Sequence, residues 1–155
     1  MMTKLRKGEP WLPASEYAKQ LSGIGVNLLV SDIQKAILFH QEVLNVEVVY
    51  SDTDFAALKG YGSEWMLHAD HTYDDHPFLA QVSLNQGRGK GIELRLHGCD
   101  PDEAQENAKR LEFTILVEVN NKNHGLREVY ILDQDGYIWV PSIPVSQKNS
   151  DVRGI

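Results

Sequence analysis

Near the middle of the chain the stretch MLHADHTYDDHP, Met66 to Pro77, holds three histidines (His68, His71, His76) and three aspartates (Asp70, Asp74, Asp75). Imidazole nitrogen and carboxylate oxygen bind divalent metals, and the same groups carry protons, so the stretch reads first as a metal or acid–base centre. A second concentration lies in ELRLHG, where Glu93, Arg95 and His97 alternate with apolar residues. The other candidates are scattered. His40 falls within an amphipathic segment and reads as packed or surface, His124 precedes Gly125 in a turn, and Arg127 has carboxylates nearby for a structural pair. Cys99, the single cysteine, has no evident base beside it, so an inert role is expected. There is no Gly-rich phosphate loop, Ser/His/Asp signal or zinc-finger spacing.

Elements decide which of these residues can meet. Residues 1–22 read as an N-terminal arm with its own short helix in ASEYAKQL. GVNLLV then alternates like a strand, and SDIQKAILFHQEVL repeats its apolar residues at helical spacing behind Asp32 as the cap. VEVVYSD, DFAALKG and SEWMLHAD read as three more strands, the last introduced by Tyr61-Gly62. The order recurs from GIELRLHG, through a helix with Asp100 at its N-cap and Pro101 at N1, to EFTILVEV, LREVYIL and YIWVPSI. The chain is therefore an internal duplication, α+β in class, of one β-α-β-β-β unit. Its repeats span about 23–70 and 90–145, joined by a linker at 71–89 and followed by a tail at 146–155.

Strand parity sorts side chains between two faces. Val26, Leu28, Trp65, Leu67, Ile92, Leu94 and Trp139 are expected to face the helices. On the other face stand Asn27 and Leu29 from the first strand, Glu64, Met66 and His68 from the last strand of the first unit, Glu93, Arg95 and His97 from the second unit's first strand, and Ile138 and Val140 from its last. Two units, or four in a dimer, can curl these faces around a cleft. His71 and His76 fall in the linker and are expected to be solvated.

Composition narrows the function. A chain of 155 residues makes one ordinary domain that buries roughly 70% of its extended surface. An excess of 22 acidic over 15 basic residues repels phosphate backbones, and no apolar run approaches the ~20 residues that span a bilayer, so neither nucleic acid nor membrane is an expected partner. The polar start and lone cysteine make a reducing cytoplasm the expected setting.

The pieces VNLLVSDIQKAILFHQEVLNVEVVY and HGLREVYILDQDGYIWVP resemble the vicinal-oxygen-chelate superfamily, which groups glyoxalase I, extradiol dioxygenases and bleomycin-resistance proteins. In the second piece Asp133, Asp135 and Gly136 fall on the family's Asp-Pro-Asp-Gly turn, with Gln134 replacing proline. The resemblance implies two tandem βαβββ modules forming a curved mixed sheet around a cleft, and a homodimer, whose partner subunit the arm with Trp11 and Tyr17 could reach. Metal-dependent members take ligands from the first and last strand of each unit; the matching positions here are Gly25, Met66, Gly91 and Val140. None suits a hard or borderline divalent ion, so no metal is expected there. One pleat along, roughly 6.6 Å away, stand Asn27, His68, Glu93 and Ser142, of which His68 and Glu93 are strong ligands for a displaced site. Two functions stay open. One is a small organic molecule bound in the cleft without a cofactor, with Glu93 and Arg95 as polar hooks; the other is a metal-dependent lyase, isomerase or dioxygenase with displaced ligands, in which Glu93 moves a proton.

Overall fold

The computed structural model describes residues 3–82 and 87–146. A short helix α1 (Ala14–Ala18) precedes the first module, made of β1 (Asn27–Val30), α2 (Ile33–Glu42), β2 (Glu47–Ser51), β3 (Phe55–Gly60) and β4 (Ser63–Ala69). The second repeats the order with β5 (Leu94–His97), α3 (Pro101–Arg110), β6 (Ile115–Asn121), β7 (Leu126–Leu132) and β8 (Ile138–Pro144). Each module is an open four-stranded mixed sheet, in the orders β1-β4-β3-β2 and β5-β8-β7-β6. First and last strands pair in parallel, and the rest are antiparallel. The sequence duplication is thus a structural duplication.

Local chemistry sets the boundaries. Asp32 accepts the Lys35 amide at 3.0 Å to open α2, and Asp100 accepts those of Asp102 and Glu103 to open α3, with Pro101 at the first turn where no donor is needed. Tyr61 and Gly62, both left-handed with φ of 52° and 79°, form the two-residue turn between β3 and β4. That is the hairpin turn whose twist matches antiparallel strands. In β2 the pairing register shifts between Val48 and Tyr50. Without the bulge Tyr50 would pair with Ala56 on the helix side; with it, Tyr50 pairs with Ala57 on the opposite face.

The helix-facing residues of both sheets join in one core, including Leu28, Trp65 and Leu67 from the first and Leu96, Ile131 and Trp139 from the second. Trp65 and Trp139 approach to 5.7 Å between ring centroids. His40 lies against both. Its Nδ1–H donates to the Ala36 carbonyl at 2.8 Å and its Nε2 accepts the Trp65 indole N–H at 3.2 Å; burial lowers its pKa to about 4, leaving it a neutral core residue. Cys99 is buried beside Leu44, and burial raises its thiol to about 11, consistent with inertness. Ile92 departs from its expected place: it precedes β5 and is half exposed, because the strand begins only at Leu94.

The segment between the modules is tied down where described. Arg88 donates two parallel hydrogen bonds to Asp70, at 2.7 and 2.8 Å, and a third to the Leu29 carbonyl, which also accepts the Tyr137 hydroxyl. Asp135 accepts from Ser31. Gly87 crosses so close to Gly136 that a Cβ on Gly136, where φ is 83°, would sit 2.4 Å from the Gly87 Cα. Positions 83–86 of the expected linker and 147–155 of the expected tail lie outside the described residues.

Candidate functional site

The face of the first sheet turned away from α2 carries Asn27, Tyr50, Phe55, Ala57, Met66 and His68, by the pairings Asn27↔Met66, Leu29↔His68, Phe55↔His68, Ala57↔Met66 and Tyr50↔Ala57. The N-terminal arm folds over it. Trp11 stacks on Tyr50 at 4.6 Å with planes 17° apart and faces Phe55 at 6.4 Å, while Tyr17 meets Phe55 edge-on at 5.8 Å. In the single chain the arm packs on its own sheet, where the four aromatic rings contact one another while Trp11 stays 42% exposed.

Between arm and sheet lies a cavity of about 270 Å³, walled by Pro10, Trp11, Leu12, Tyr17 and Leu21 on the arm and Phe55, Met66 and His68 on the sheet, with Lys4 and Arg6 also in its wall. A second hollow of about 420 Å³ adjoins it, sharing Tyr17, Leu21 and Met66, and is more polar, with Gln20, Ser63 and Glu64. Gly25 borders this outer hollow, and a Cβ added there would meet nothing within 4 Å. The side chain missing at that position leaves open space.

His68 is held from both sides. Its Nδ1 lies 2.6 Å from Asn27 Oδ1, its ring packs on Phe55 and Tyr73, and Asn27 Nδ2 donates to the Tyr73 hydroxyl at 3.1 Å. Burial, then the nearby positive charges of Arg6 and Lys4, lower its pKa to about 4, so the imidazole is neutral near pH 7.

The arm is latched by Asp54, whose side chain is 1% exposed. Its carboxylate accepts the Leu5 amide at 2.8 Å, the Arg6 amide at 3.1 Å and His71 Nε2 at 2.7 Å. Burial pushes this carboxyl up, but the hydrogen bonds from His71, Leu5 and Arg6 outweigh it and leave it below the usual range. His71 is therefore part of the latch, not a solvated linker residue as expected from its loop position. Thr3 adds a hydrogen bond to Asp74. His76 stays local, accepting the Phe78 amide. The histidine-aspartate stretch divides by neighbour: His68 to the cavity, Asp70 to the module junction, His71 and Asp74 to the arm.

On the second sheet the corresponding face is a closed polar network. Glu93 Oε1 accepts the Tyr130 hydroxyl at 2.7 Å and Oε2 accepts Arg95 at 2.8 Å; Arg95 also pairs with buried Glu128, which lies 3.6 Å from His124. His97 meets Ser142 at 2.9 Å. The bonds from Tyr130 and then Arg95 lower the Glu93 pKa, so its carboxylate is a weak proton acceptor. Arg127, by contrast, is spent on Asp102.

Two residues expected to line the cleft do not. Val140 is fully buried: it pairs with Arg95, and the Glu128↔Ser142 and Ile131↔Trp139 register sets Tyr130 on its other side, so those two roof it over. Leu29 is fully buried beside His68, at the junction closed by Arg88 and Tyr137. Asn27, Met66 and His68 do stand at the covered face, and Glu64 at its mouth.

The expected displaced ligand pair is not assembled. His68 belongs to the first sheet's aromatic face and Glu93 to the second sheet's network, with no shared partner, and no group of three or more His, Cys, Asp or Glu able to hold a metal ion occurs among the described residues. The four family ligand positions do not fit a divalent ion either. Gly25 and Gly91 have no side chain, Val140 has no donor atom and is buried, and Met66 offers one thioether. The positive charges that help keep His68 neutral would oppose a cation beside it as well.

Sequence reasoning missed Trp11 and Tyr17 as neighbours of their own sheet, and Tyr50, Phe55 and Asp54 altogether. A signal existed for Phe55, because extending the parity argument to DFAALKG puts it on the face of Met66 and His68. Trp11, between Pro10 and Pro13 in a polar arm, was a large apolar side chain needing a surface.

No family model matches the sequence, and no curated protein matches it. Solved structures do. A glyoxalase/bleomycin resistance protein/dioxygenase family enzyme from Burkholderia phytofirmans PsJN superposes with a TM-score of 0.64 at 19% identity, over 77% of this chain and 96% of its own. A glyoxalase-related enzyme from Fulvimarina pelagi gives 0.63 at 17%, over 79% and 88%. The fosfomycin resistance protein FosX from Listeria monocytogenes, solved with Mn(II) and sulfate, gives 0.59 at 18%, over 86% and 99%. The chain has the fold of the vicinal-oxygen-chelate proteins, two βαβββ modules with open mixed sheets. At these identities the likeness extends to the fold alone.

Proposed function

We propose that the protein binds a small organic molecule on the arm-covered face of the first sheet, without a divalent ion at the family's ligand positions. The observation that carries this reading is the cavity of about 270 Å³ walled by Trp11, Tyr17, Phe55, Met66 and His68. It is slightly below the usual ~300–1,000 Å³ of ligand sites, and the adjoining hollow extends it. Its apolar rings supply contact area and its few polar atoms supply orientation. Glu93 and Arg95, the polar hooks expected from the sequence, are outside this cavity's wall and are held by each other, Tyr130 and Glu128, so this reading gives them no contact with the ligand. The proposal includes a homodimer, which sedimentation velocity tests separately.

The deciding experiment pairs a thermal-shift screen of aromatic and oxygenated small molecules with elemental analysis of protein purified without a metal-affinity tag. A ligand at 100 times its dissociation constant adds about 2.7 kcal/mol of stability. Expected are upward shifts that disappear in Trp11→Ala and a metal content far below stoichiometric after soaking with Mn, Fe, Ni and Zn. Stoichiometric metal lost in both His68→Ala and Glu93→Ala would replace this reading with the metal-dependent lyase, isomerase or dioxygenase.

A further inference from the structure

A ring nitrogen in the cavity wall that no hydrogen bond engages narrows the ligand further, and the argument rests on the binding reading above. Asn27 decides the state of His68. Its Nδ2 donates to the Tyr73 hydroxyl, which leaves Oδ1 facing His68 Nδ1 at 2.6 Å. That separation suits N–H···O and is too short for the N–H···N contact a flipped amide would make. Nδ1 therefore carries the proton and donates. In a neutral ring the other nitrogen is then a bare lone pair.

Nε2 lies on the opposite edge of the ring, in a residue that forms part of the cavity wall, and no hydrogen bond among the described residues engages it. The rest of the wall is largely apolar or aromatic; of its other polar groups Lys4 and Arg6 are donors only, the Asp54 carboxylate is taken by the Leu5 and Arg6 amides and His71, and the Thr72 hydroxyl donates to the Ala69 carbonyl. A ligand in the cavity that covers Nε2 must either hydrogen-bond it or leave it buried without a partner.

We infer that the ligand is a flat aromatic molecule bearing an O–H or N–H donor, and that His68 Nε2 is the acceptor that selects it. The ring lies in the cavity beside Trp11 and Tyr17 of the arm and against Met66 of the sheet, with its donor directed to His68 and its other substituents toward Glu64 at the outer hollow. Because the imidazole protonates only near pH 4, the acceptor persists through the physiological range. Asn27 and Tyr73 are positioning residues: they hold the tautomer and need not touch the ligand.

The test uses three probes of nearly one shape, 2-naphthol, 2-methoxynaphthalene and naphthalene, titrated against the full chain by calorimetry and by tryptophan fluorescence, with Trp11→Phe identifying the Trp11 signal. Expected is 2-naphthol binding about tenfold tighter than 2-methoxynaphthalene, the worth of one hydrogen bond to a site whose acceptor is otherwise buried unpaired. In His68→Phe, which keeps an aromatic ring against Phe55 and Tyr73, naphthalene still binds and the preference for naphthol falls to within about twofold. Nitrogen-15 chemical shifts of the free wild-type protein should show His68 Nδ1 protonated and Nε2 unprotonated. Binding of all three probes with equal affinity, or a preference that survives His68→Phe, overturns the acceptor role while sparing the cavity. The opposite tautomer overturns it too, and failure of every probe to bind overturns both.

Discussion

Replacing Asp54 by alanine should free the N-terminal arm while leaving the fold standing. The Asp54 side chain accepts the amides of Leu5 at 2.8 Å and Arg6 at 3.1 Å and the His71 ring at 2.7 Å, and it stands 3.7 Å from the Arg6 guanidinium. Hydrogen bonds to a charged acceptor contribute about 1.5–3 kcal/mol each, so losing the two amide bonds alone weakens the arm's attachment by at least about 3 kcal/mol. At 1.4 kcal/mol per factor of ten, that is roughly a hundredfold loss of hydrogen-exchange protection at Leu5 and Arg6. The Asp54 backbone keeps its own work, accepting the Ala69 amide at 2.9 Å, and the shared core lies on the other side of the sheet. Amides of Leu67 and Ile131 should therefore lose tenfold or less. Native-state hydrogen exchange by NMR reads both sets in one experiment, and the Trp11 fluorescence should change as its stacking on Tyr50 is lost. Unchanged protection at Leu5 and Arg6 would refute the latch. An equal fall at Leu67 and Ile131 would refute the separation of arm from core.

Further outcomes follow from the same geometry. His40 and His68 have folded-state pKa values lowered from 6.5 to about 4, so their contribution is fully present above pH 6.5 and is lost as pH falls toward 4, about 2 kcal/mol each between pH 7 and 5. Asp133, raised by burial to about 6, works in the opposite sense and returns about 1 kcal/mol over that interval. Urea titrations at pH 7 and 5 should thus show a net loss near 3 kcal/mol, and a gain on acidification would contradict the burial of both rings. Gly136→Ala should destabilise by about 2–4 kcal/mol, because it adds a clash to a left-handed φ. Gly25→Ala should be within about 0.5 kcal/mol of wild type, because its Cβ meets open space; equal effects in chemical denaturation would show the two glycines are not distinguished by packing.

The duplicated βαβββ order and the helix caps were legible because they rest on local rules. Asp32 and Asp100 cap as their positions imply, and period-2 alternation put Trp65 and Trp139 on the helix side. Parity could not foresee what covers a face. Val140 alternates correctly yet is roofed by Arg95 and Tyr130, whose meeting depends on register between β5, β8 and β7. The bulge in β2 is harder still, since nothing in EVVYS marks which residue is extra, and only the extra residue brings Tyr50 under Trp11. His71 and Asp54, 17 residues apart, were hidden for the same reason: a latch is a tertiary contact with no period.

The residues at the positions matched to metal ligands and the arm's contacts act in one sense on the electrostatics of the face. A divalent ion is held by anionic or strongly donating groups that repay its desolvation. Here the first-strand and last-strand positions are Gly25 and Met66, the nearby positive charges are Arg6 and Lys4, and the carboxylate in the cavity wall, Asp54, is occupied by the arm's own amides. Each feature moves the site the same way. Phe55 and Tyr73 pack on the His68 ring, and that burial, with the Arg6 and Lys4 charges, holds it neutral, while Trp11 and Tyr17 cover Phe55. A neutral imidazole beside two positive charges is a poor place for an ion, so building a metal site here would require releasing the arm as well as supplying ligands. A variant carrying Gly25→His and Met66→Glu should accordingly bind Zn or Mn weakly in the full chain and at least tenfold more tightly when Asp54→Ala releases the arm. Equal affinity in the two backgrounds would show that the arm and the ligand positions are independent.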